Sequence, residues 1–298
     1  MRSPLTLITL GLLAGCAKTA SPNTAATAEG GSDAGDATAH IEAAEALWPE
    51  RADEAKLTEI LEKYEAAFNA DPKDRDTLIR LTRAWYFYGD AFSDDKDTKV
   101  ERWTKALEFG NACLALNDDI ASQLASGNKP ADAIQAATKD DVGCIYWTAT
   151  ALGKWGKIQS LSKTLKHLPT VKAYVTRAEE LDPTYYHYGP ARYWAAYYSA
   201  LPSFAGQDHD KSASYFDAAI EAAPYYLPTR VLRAEYLAVG IQNVKMFDED
   251  LDFVINADPN MNPDAGITPE NVKDIEKAKG ILAKRHELFD KQAIENAN

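Results

Sequence analysis

From residue 41 onward, apolar side chains recur with the three-to-four-residue period of an amphipathic helix. Strict apolar–polar alternation, which indicates a half-buried strand, is scarce. Several segments end alike, with an aromatic or apolar residue, a small residue three positions on, and a turn. They are Tyr64, Ala67 and Asp71-Pro72; Val175, Ala178 and Asp182-Pro183; Phe216, Ala219 and Pro224; Leu251, Val254 and Asp258-Pro259; and a variant, Ala106 to Asn117. Because small residues let helices approach and Pro ends the first helix, the pattern predicts an all-α chain of helical hairpins.

The spacing of the prolines gives the length of the repeating unit. Pro183 and Pro224 are 41 residues apart, and Pro224 and Pro259 are 35 apart. This resembles degenerate tetratricopeptide repeats, whose unit is about 34 residues. The interval from Pro72 to Pro183 is far longer and predicts an irregular insertion around residues 120–168.

We predict that the repeats form one domain over residues 41–298. Four or five hairpins should stack into a curved solenoid with a concave face, because each hairpin has an apolar face that only a neighbour can bury. The last helix, roughly Pro269 to Ala293, is expected to cap this stack. Its Lys and Glu residues are expected to form a solvated face.

The amino terminus has the features of a cleaved lipoprotein signal over residues 1–15. Arg2 supplies a positive charge, and Leu5 to Leu13 form an apolar run too short to cross a bilayer as a helix. The run ends in Leu13-Ala14-Gly15-Cys16, which resembles the lipobox of bacterial lipoproteins. Cleavage would leave Cys16 as the acylated first residue. The alternative is an ordinary secretory signal followed by an incidental cysteine.

The residues after this cysteine predict where and how the domain is held. Ala17 stands where an Asp would favour retention in the inner membrane, so we expect sorting to the outer membrane, facing the periplasm. Residues 16–40 are rich in Ala, Thr, Ser, Gly and Asp and contain no Phe, Trp or Tyr. Such a segment buries too little apolar surface to order itself, so it is predicted to be a flexible, lipid-anchored linker.

The charge balance limits the classes of partner. The chain has 45 Asp and Glu residues against 32 Lys and Arg, for a formal net charge of -13. A surface of this sign repels phosphate backbones and anionic headgroups. We therefore expect no nucleic-acid partner, and membrane contact only through the lipid anchor.

Two further cysteines leave two alternatives open. The oxidising periplasm permits a disulfide between Cys113 and Cys144. Their apolar helical surroundings would equally suit two buried thiols. The chain has no CxxC and no His/Cys cluster, so no zinc site is expected.

Four stretches are more particular than a generic repeat. They are Ala46-Leu47-Trp48-Pro49-Glu50-Arg51; Tyr146-Trp147 with Leu152-Gly153-Lys154-Trp155; Tyr185 to Tyr193, leading to Leu201 to Asp208; and Tyr226 to Leu232 with Ala234-Glu235-Tyr236. Together they resemble the TatT family, tetratricopeptide-type lipoproteins associated with TRAP transporters, over most of residues 45–290. One departure is Ala205-Gly206-Gln207-Asp208, where family members tend to have a Gly-Gly-Asp turn.

The resemblance implies transport. It implies docking of a periplasmic solute-binding protein of a TRAP-type system, an apolar channel, and passage of a small hydrophobic or carboxylate ligand. Because some family members form trimers, it also makes a homotrimer one of the expected assemblies. It implies no cofactor.

The region after residue 184 carries the candidate ligand chemistry. Aromatic residues there would form the wall of a ligand channel, and two arginines would pair a ligand carboxylate. The candidates are Tyr185, Tyr188, Arg192, Tyr193, Trp194 and Arg230. The alternative is that the aromatics pack between helices and the arginines pair with Glu235 or Asp208.

Motifs of catalysis are missing from the sequence. It contains no GxSxG, P-loop, GxGxxG or HExxH. Asp94, Asp95 and Asp97 lack the glycine and glutamate of an EF-hand loop, so no metal site is predicted. We therefore expect a protein that is not an enzyme.

The alternative to the transport role is an envelope or outer-membrane assembly scaffold that binds a peptide or partner protein in the repeat groove. An enzyme with two facing carboxylates is the third hypothesis.

Overall fold

The computed structural model describes residues 34–297 of the chain. The predicted signal peptide, the acylation site Cys16 and the predicted linker up to residue 33 lie outside the described residues. Between residues 34 and 297 the chain is helical with no strand, which confirms the all-α prediction. The helices are α1 (Ala34–Leu47), α2 (Glu54–Ala70), α3 (Arg75–Ala91), α4 (Lys96–Leu114), α5 (Asp118–Ala125), α6 (Pro130–Ala133), α7 (Val142–Gln159), α8 (Leu161–Leu181), α9 (Tyr185–Ala200), α10 (His209–Ala222), α11 (Pro228–Leu232), α12 (Val244–Asn256), α13 (Thr268–Ala283), α14 (Arg285–Leu288) and α15 (Lys291–Ala297).

The first helix begins inside the predicted linker. The linker was expected to extend through residue 40, but α1 starts at Ala34 and packs against α2. Ala37 and Ala44 are buried in this contact, with 5% and 0% of their surface exposed. An alanine-rich segment suits a linker by composition, yet alanine is also the strongest helix former, and here packing decides.

Short polar side chains fix where most of the long helices begin. In each case the capping oxygen accepts a hydrogen bond from the backbone N–H three residues on, which satisfies one of the free donors of the first turn. These caps are Asp53, Asp74, Asp95, Ser160, Asp208 and Asn243.

The helices pack as five hairpins, within the predicted four or five. The pairs are α1 with α2, α3 with α4, α7 with α8, α9 with α10, and α11 with α12. A π-helical turn, Arg233–Ala238, continues α11 and carries part of the last contact. The main hydrophobic core extends from α1 to α9, and a separate core joins α11, the π-helical turn, α12 and α13.

The irregular insertion is shorter than predicted. Only residues 115–141, with α5, α6 and two 3-10 turns, are irregular, while residues 142–168 belong to α7 and α8. The prediction failed because α7 is buried on nearly all sides from Val142 to Leu152, so it lacks an amphipathic stripe. Across the insertion, α4 packs directly on α7, and a disulfide joins Cys113 to Cys144 with a Cα–Cα distance of 5.5 Å.

The last long helix does not form a solvated cap. α13 ends at Ala283, ten residues before the predicted end, and packs against α11, α12 and the turn Trp48–Glu50 near the amino terminus. Glu270 on α13 forms an ion pair with Arg51, 219 residues earlier. The two ends of the stack therefore meet, and the polar face of α13 borders an interior cavity. A helix with a polar stripe shows the same sequence pattern whether that stripe meets bulk water or a cavity.

Candidate functional site

A central cavity of about 1090 Å³ lies between α3, α7, α9, the π-helical turn and α13. Small-molecule sites usually enclose about 300–1,000 Å³, so this volume suits an organic ligand. Eight Lys and Arg residues line the cavity against six Asp and Glu, a balance of +2 in a chain of net charge -13. The aromatic part of the wall is Tyr86, Phe87, Phe92, Trp103, Tyr146, Trp147, Tyr186, Tyr193, Tyr197, Tyr226 and Tyr236.

A second cavity of about 660 Å³ lies beside the first, against α1, α2 and the beginning of α3. Arg83, Trp147 and Tyr186 line both cavities. These three side chains therefore form the partition between them.

A left-handed turn at the start of α9 places one of the partition residues. Tyr186, His187 and Tyr188 have φ values of 46°, 55° and 58°. This conformation costs a residue other than Gly roughly 1–2 kcal/mol, so three in succession require tertiary support. The His187 ring stacks on Tyr226 at 5.2 Å, and the Tyr186 ring packs edge-on against Trp147 at 4.6 Å. Burial and the Arg192 charge lower the pKa of His187 to about 4, which keeps the stacked ring neutral at pH 7.

Arg192 holds the same turn from inside the cavity. It is 5% exposed, and its guanidinium donates to the carbonyl oxygens of His187 at 2.9 Å and Tyr186 at 3.2 Å. It also donates to the Tyr146 hydroxyl at 3.0 Å and lies over the Tyr226 ring at 4.2 Å. No carboxylate among residues 34–297 forms an ion pair with it, so the predicted alternative, pairing with Glu235 or Asp208, is wrong for this arginine. A buried guanidinium without a counter-ion favours the approach of an anion.

Beside Arg192, two further arginines share one carboxylate. Glu270 accepts from Arg51 at 2.5 Å and from Arg83 at 2.8 Å, and the Tyr186 hydroxyl lies 3.2 Å from it. Burial raises the pKa of Glu270, but the charges of Arg83 and Arg51 outweigh burial and bring it to about 2. Arg192, Arg83 and Glu270 line this end of the cavity, which we call the arginine end, and Arg51 pairs with Glu270 from outside the lining.

The facing part of the cavity holds a mixed network of acids and lysines. Lys154 on α7 pairs with Asp90 on α3 at 2.7 Å, and Lys277 on α13 pairs with Glu235 on the π-helical turn at 3.2 Å. Asp274, one helical turn before Lys277, lines the same space. We call these five residues the acid–lysine network.

The six residues predicted as ligand-channel candidates lie in different parts of the structure. Arg192 and Tyr193 line the central cavity, with the Tyr193 hydroxyl directly over Gly153, and Tyr185 lines the second cavity. Tyr188 lines neither cavity and packs in a small cluster with Ala223 and Tyr226.

The remaining two candidates have structural partners. Trp194 is 5% exposed in the main core and donates to Glu179 at 2.8 Å. Arg230 pairs with Asp250 at 2.8 Å and lies over the Phe253 ring at 4.2 Å. An ion pair was the alternative considered for Arg230, but the partners expected for it, Glu235 and Asp208, were wrong.

Comparison with protein families then identifies the chain. A family model described as the TRAP transporter T-component matches residues 52–289, which contain nearly all of the helices that build the cavity. The chain belongs to the TRAP transporter T-component family. Among curated proteins, no match to the chain was found.

Three charged residues in or next to the cavity wall of this T-component lie inside the motifs that carry the resemblance, although the sequence analysis assigned them no role. Arg51 ends the first motif, Lys154 lies in the second and Glu235 in the fourth. Each lies within three residues of an aromatic residue, and that combination was the available signal. Glu270 and Asp274 lie outside every motif, and only contacts across the whole chain bring them to the cavity.

The described part of the T-component contains neither a candidate metal centre nor a candidate membrane span. Between residues 34 and 297, no group of three or more His, Cys, Asp and Glu residues is arranged to hold a metal ion. Asp95, from the acidic loop, caps α4 through the Thr98 N–H. No helix in that part of the chain is long and apolar enough to cross a bilayer.

Proposed function

We propose that this T-component is a lipoprotein, anchored through Cys16 in the outer membrane and facing the periplasm. There it docks the solute-binding protein of a TRAP-type system and holds a small amphipathic acid in its central cavity. The family match supports a TRAP accessory role, and Leu13-Ala14-Gly15-Cys16 supports the anchor. The docking, the ligand and the anchor are the proposed steps beyond that match.

One observation carries the ligand proposal: Arg192 is buried in an aromatic cavity without a carboxylate partner. A carboxylate in the cavity would supply the missing negative charge, and charge-assisted hydrogen bonds to guanidinium are among the strongest in proteins. The aromatic wall would cover the apolar body of the ligand, as is usual in small-molecule sites.

The ligand proposal is tested with octanoate and 1-octanol as paired probes in isothermal titration calorimetry. We expect octanoate to bind more tightly, and Arg192→Met to weaken octanoate by about tenfold or more, since a charged hydrogen-bonded pair is lost. Arg177→Met is the control, because Arg177 lies on α8 outside the cavity wall. A lower melting temperature for Arg192→Met with unchanged octanoate affinity would mean that Arg192 only supports the turn.

The partner and anchor are tested with the full-length chain in its host. Crosslinking followed by purification should recover a TRAP-type solute-binding protein, and native mass spectrometry should report a homotrimer or another defined stoichiometry. Detergent-phase partitioning should be lost in Cys16→Ser. Recovery of the chain without any TRAP component would contradict the docking proposal, and aqueous partitioning of the wild type would contradict the anchor.

The alternative scaffold role requires an open groove. Because α13 lies along the interior and Arg51 joins Glu270, the concave side is filled where an extended peptide would bind. The structure therefore favours a small ligand over a captured peptide. A partner peptide that competes with octanoate for binding would reverse this preference.

A further inference from the structure

The acid–lysine network contains three carboxylates and two ammonium groups. Each lysine is already engaged: Lys154 with Asp90, and Lys277 with Glu235. Asp274 remains, and its side chain forms no hydrogen bond and no ion pair with any residue between 34 and 297. Within these five residues the network is therefore one positive charge short, and Asp274 is the carboxylate left without a cation.

The surroundings of Asp274 explain why the protein itself does not supply that charge. Lys277 on the same helix and Lys154 on α7 attract the carboxylate, but Asp90 on α3 and Glu270 on α13 repel it. Burial opposes its ionisation most strongly, and the pKa of Asp274 rises to about 7. Lys157, another cation of the cavity wall, is exposed and lies over the Tyr236 ring at 3.8 Å.

The two groups of residues differ in charge. The arginine end has an excess of positive charge, whereas the acid–lysine network holds three carboxylates against two ammonium groups. Tyr86 on α3 lines the same cavity as both groups. Tyr193 and Tyr236 add aromatic faces to the same wall, and such faces attract organic cations.

We propose that the ligand of the central cavity is zwitterionic, with its carboxylate at Arg192 and a protonated amine at Asp274. The amine supplies the third positive charge of the network, and the apolar chain between the two groups lies along the tyrosines. This inference rests on the proposed function for its carboxylate half, while the amine half stands on Asp274 alone.

The test compares matched probes that differ in one amine. Hexanoate, octanoate, 6-aminohexanoate and 8-aminooctanoate are titrated into the full-length protein at pH 8, and hexylamine is titrated as the probe for the amine half. We expect at least one of the two amino acids to bind at least about tenfold more tightly than the acid that lacks its amine, namely 6-aminohexanoate against hexanoate or 8-aminooctanoate against octanoate. A gain of about tenfold is typical of a charged hydrogen-bonded pair. Asp274→Asn should abolish this gain and leave the affinity for the parent acid unchanged or higher.

Asp252→Asn is the matched control, because Asp252 is exposed on α12 and its side chain lines neither cavity. A second readout is the pH dependence of the gain, which should shrink below pH 7 in the wild type as Asp274 becomes protonated. In Asp274→Asn the ratio between the affinity for the amino acid and the affinity for its parent acid should not change with pH.

The outcomes separate the two proposals. If both parent acids bind through Arg192 but neither amine improves binding, the zwitterion inference is overturned and the proposed acid ligand stands. If hexylamine binds through Asp274 while no acid binds, the carboxylate half is wrong and the amine site stands. If no probe binds, both are overturned.

Discussion

Asp274 is a half-buried acid whose charge is only partly compensated, and this has a consequence for stability. Its pKa in the folded protein is about 7, above the ordinary value of 3.8. Between these values the folded state binds a proton that the unfolded state has lost, so stability falls as the pH rises through this window.

Asp274→Asn should remove that decrease. We expect the variant to equal the wild type near pH 4 and to exceed it in free energy of unfolding by about 1–3 kcal/mol at pH 8. Urea denaturation monitored by tryptophan fluorescence at a series of pH values measures the difference, with Asp252→Asn as the control. Parallel profiles for wild type and Asp274→Asn would show that the carboxyl ionises normally.

At the scale of elements, the start of α9 depends on a close approach between helices. A Cβ at residue 189 would lie 2.5 Å from the Tyr146 ring, which in turn holds Arg192. Gly280 on α13 has nothing within 4 Å of the same position. The two glycines therefore differ in what an added methyl group would meet.

Gly189→Ala and Gly280→Ala should change stability in opposite directions. We expect Gly189→Ala to cost about 1–3 kcal/mol through overpacking and to weaken octanoate binding by displacing Tyr146. Gly280→Ala should add about 0.4–1 kcal/mol by restricting the unfolded chain. Chemical denaturation reports both, and a neutral Gly189→Ala would mean that Tyr146 moves without consequence.

The disulfide is a second feature at this scale, because it joins two helices that an irregular segment separates. Its sequence separation is 31 residues. Cys113→Ser with Cys144→Ser should cost about 2–4 kcal/mol, since the unfolded chain regains the freedom of that loop. Guanidinium denaturation of the double variant and of the reduced wild type should agree. Equal stability of oxidised and reduced protein would contradict a structural role for the bond.

The sequence predicts elements well where one face of a helix is polar and a cap precedes it. Helices α2 and α12 follow from their apolar periodicity, with Asp53 and Asn243 as their caps. α7 was partly missed because its apolar residues leave no polar face. The left-handed turn at Tyr186 has no local signal, since no Gly or Asn marks it, and it exists only because aromatic neighbours hold it.

At the scale of the whole molecule, closure of the stack depends on Arg51 and Glu270. Neither local pattern indicates a partner 219 residues away, so the sequence predicts an open concave face, whereas in the structure α13 lies against the amino-terminal turn and borders the cavity. The same limitation explains why Glu270 was assigned to a solvated face and why Asp274 was assigned no role.

A double-mutant cycle on Arg51→Met and Glu270→Gln measures this closure. Glu270→Gln should cost about 3–5 kcal/mol, because it leaves Arg51 buried without its carboxylate, and Arg51→Met should cost less, because Glu270 keeps its ion pair with Arg83. The double variant should cost about 1–3 kcal/mol less than the sum of the two single changes, since both remove one contact. Additive effects would indicate that the two ends of the chain do not depend on this pair.

Acid should weaken the same closure. The pKa of Glu270 is about 2, below the ordinary value of 4.5, so its contribution is full above about pH 5 and is lost as the pH falls towards 2. We expect the wild type to lose more stability over this window than Glu270→Gln does. Identical acid profiles in urea denaturation would contradict this assignment.

The partition formed by Arg83, Trp147 and Tyr186 has one more consequence. A solute crossing from one cavity to the other must displace the Tyr186 ring. The hydroxyl of that ring is hydrogen-bonded to Glu270, which joins the two ends of the chain through its ion pair with Arg51. A variant that lets a solute pass freely between the two cavities should therefore also be one in which the two ends of the chain separate more readily.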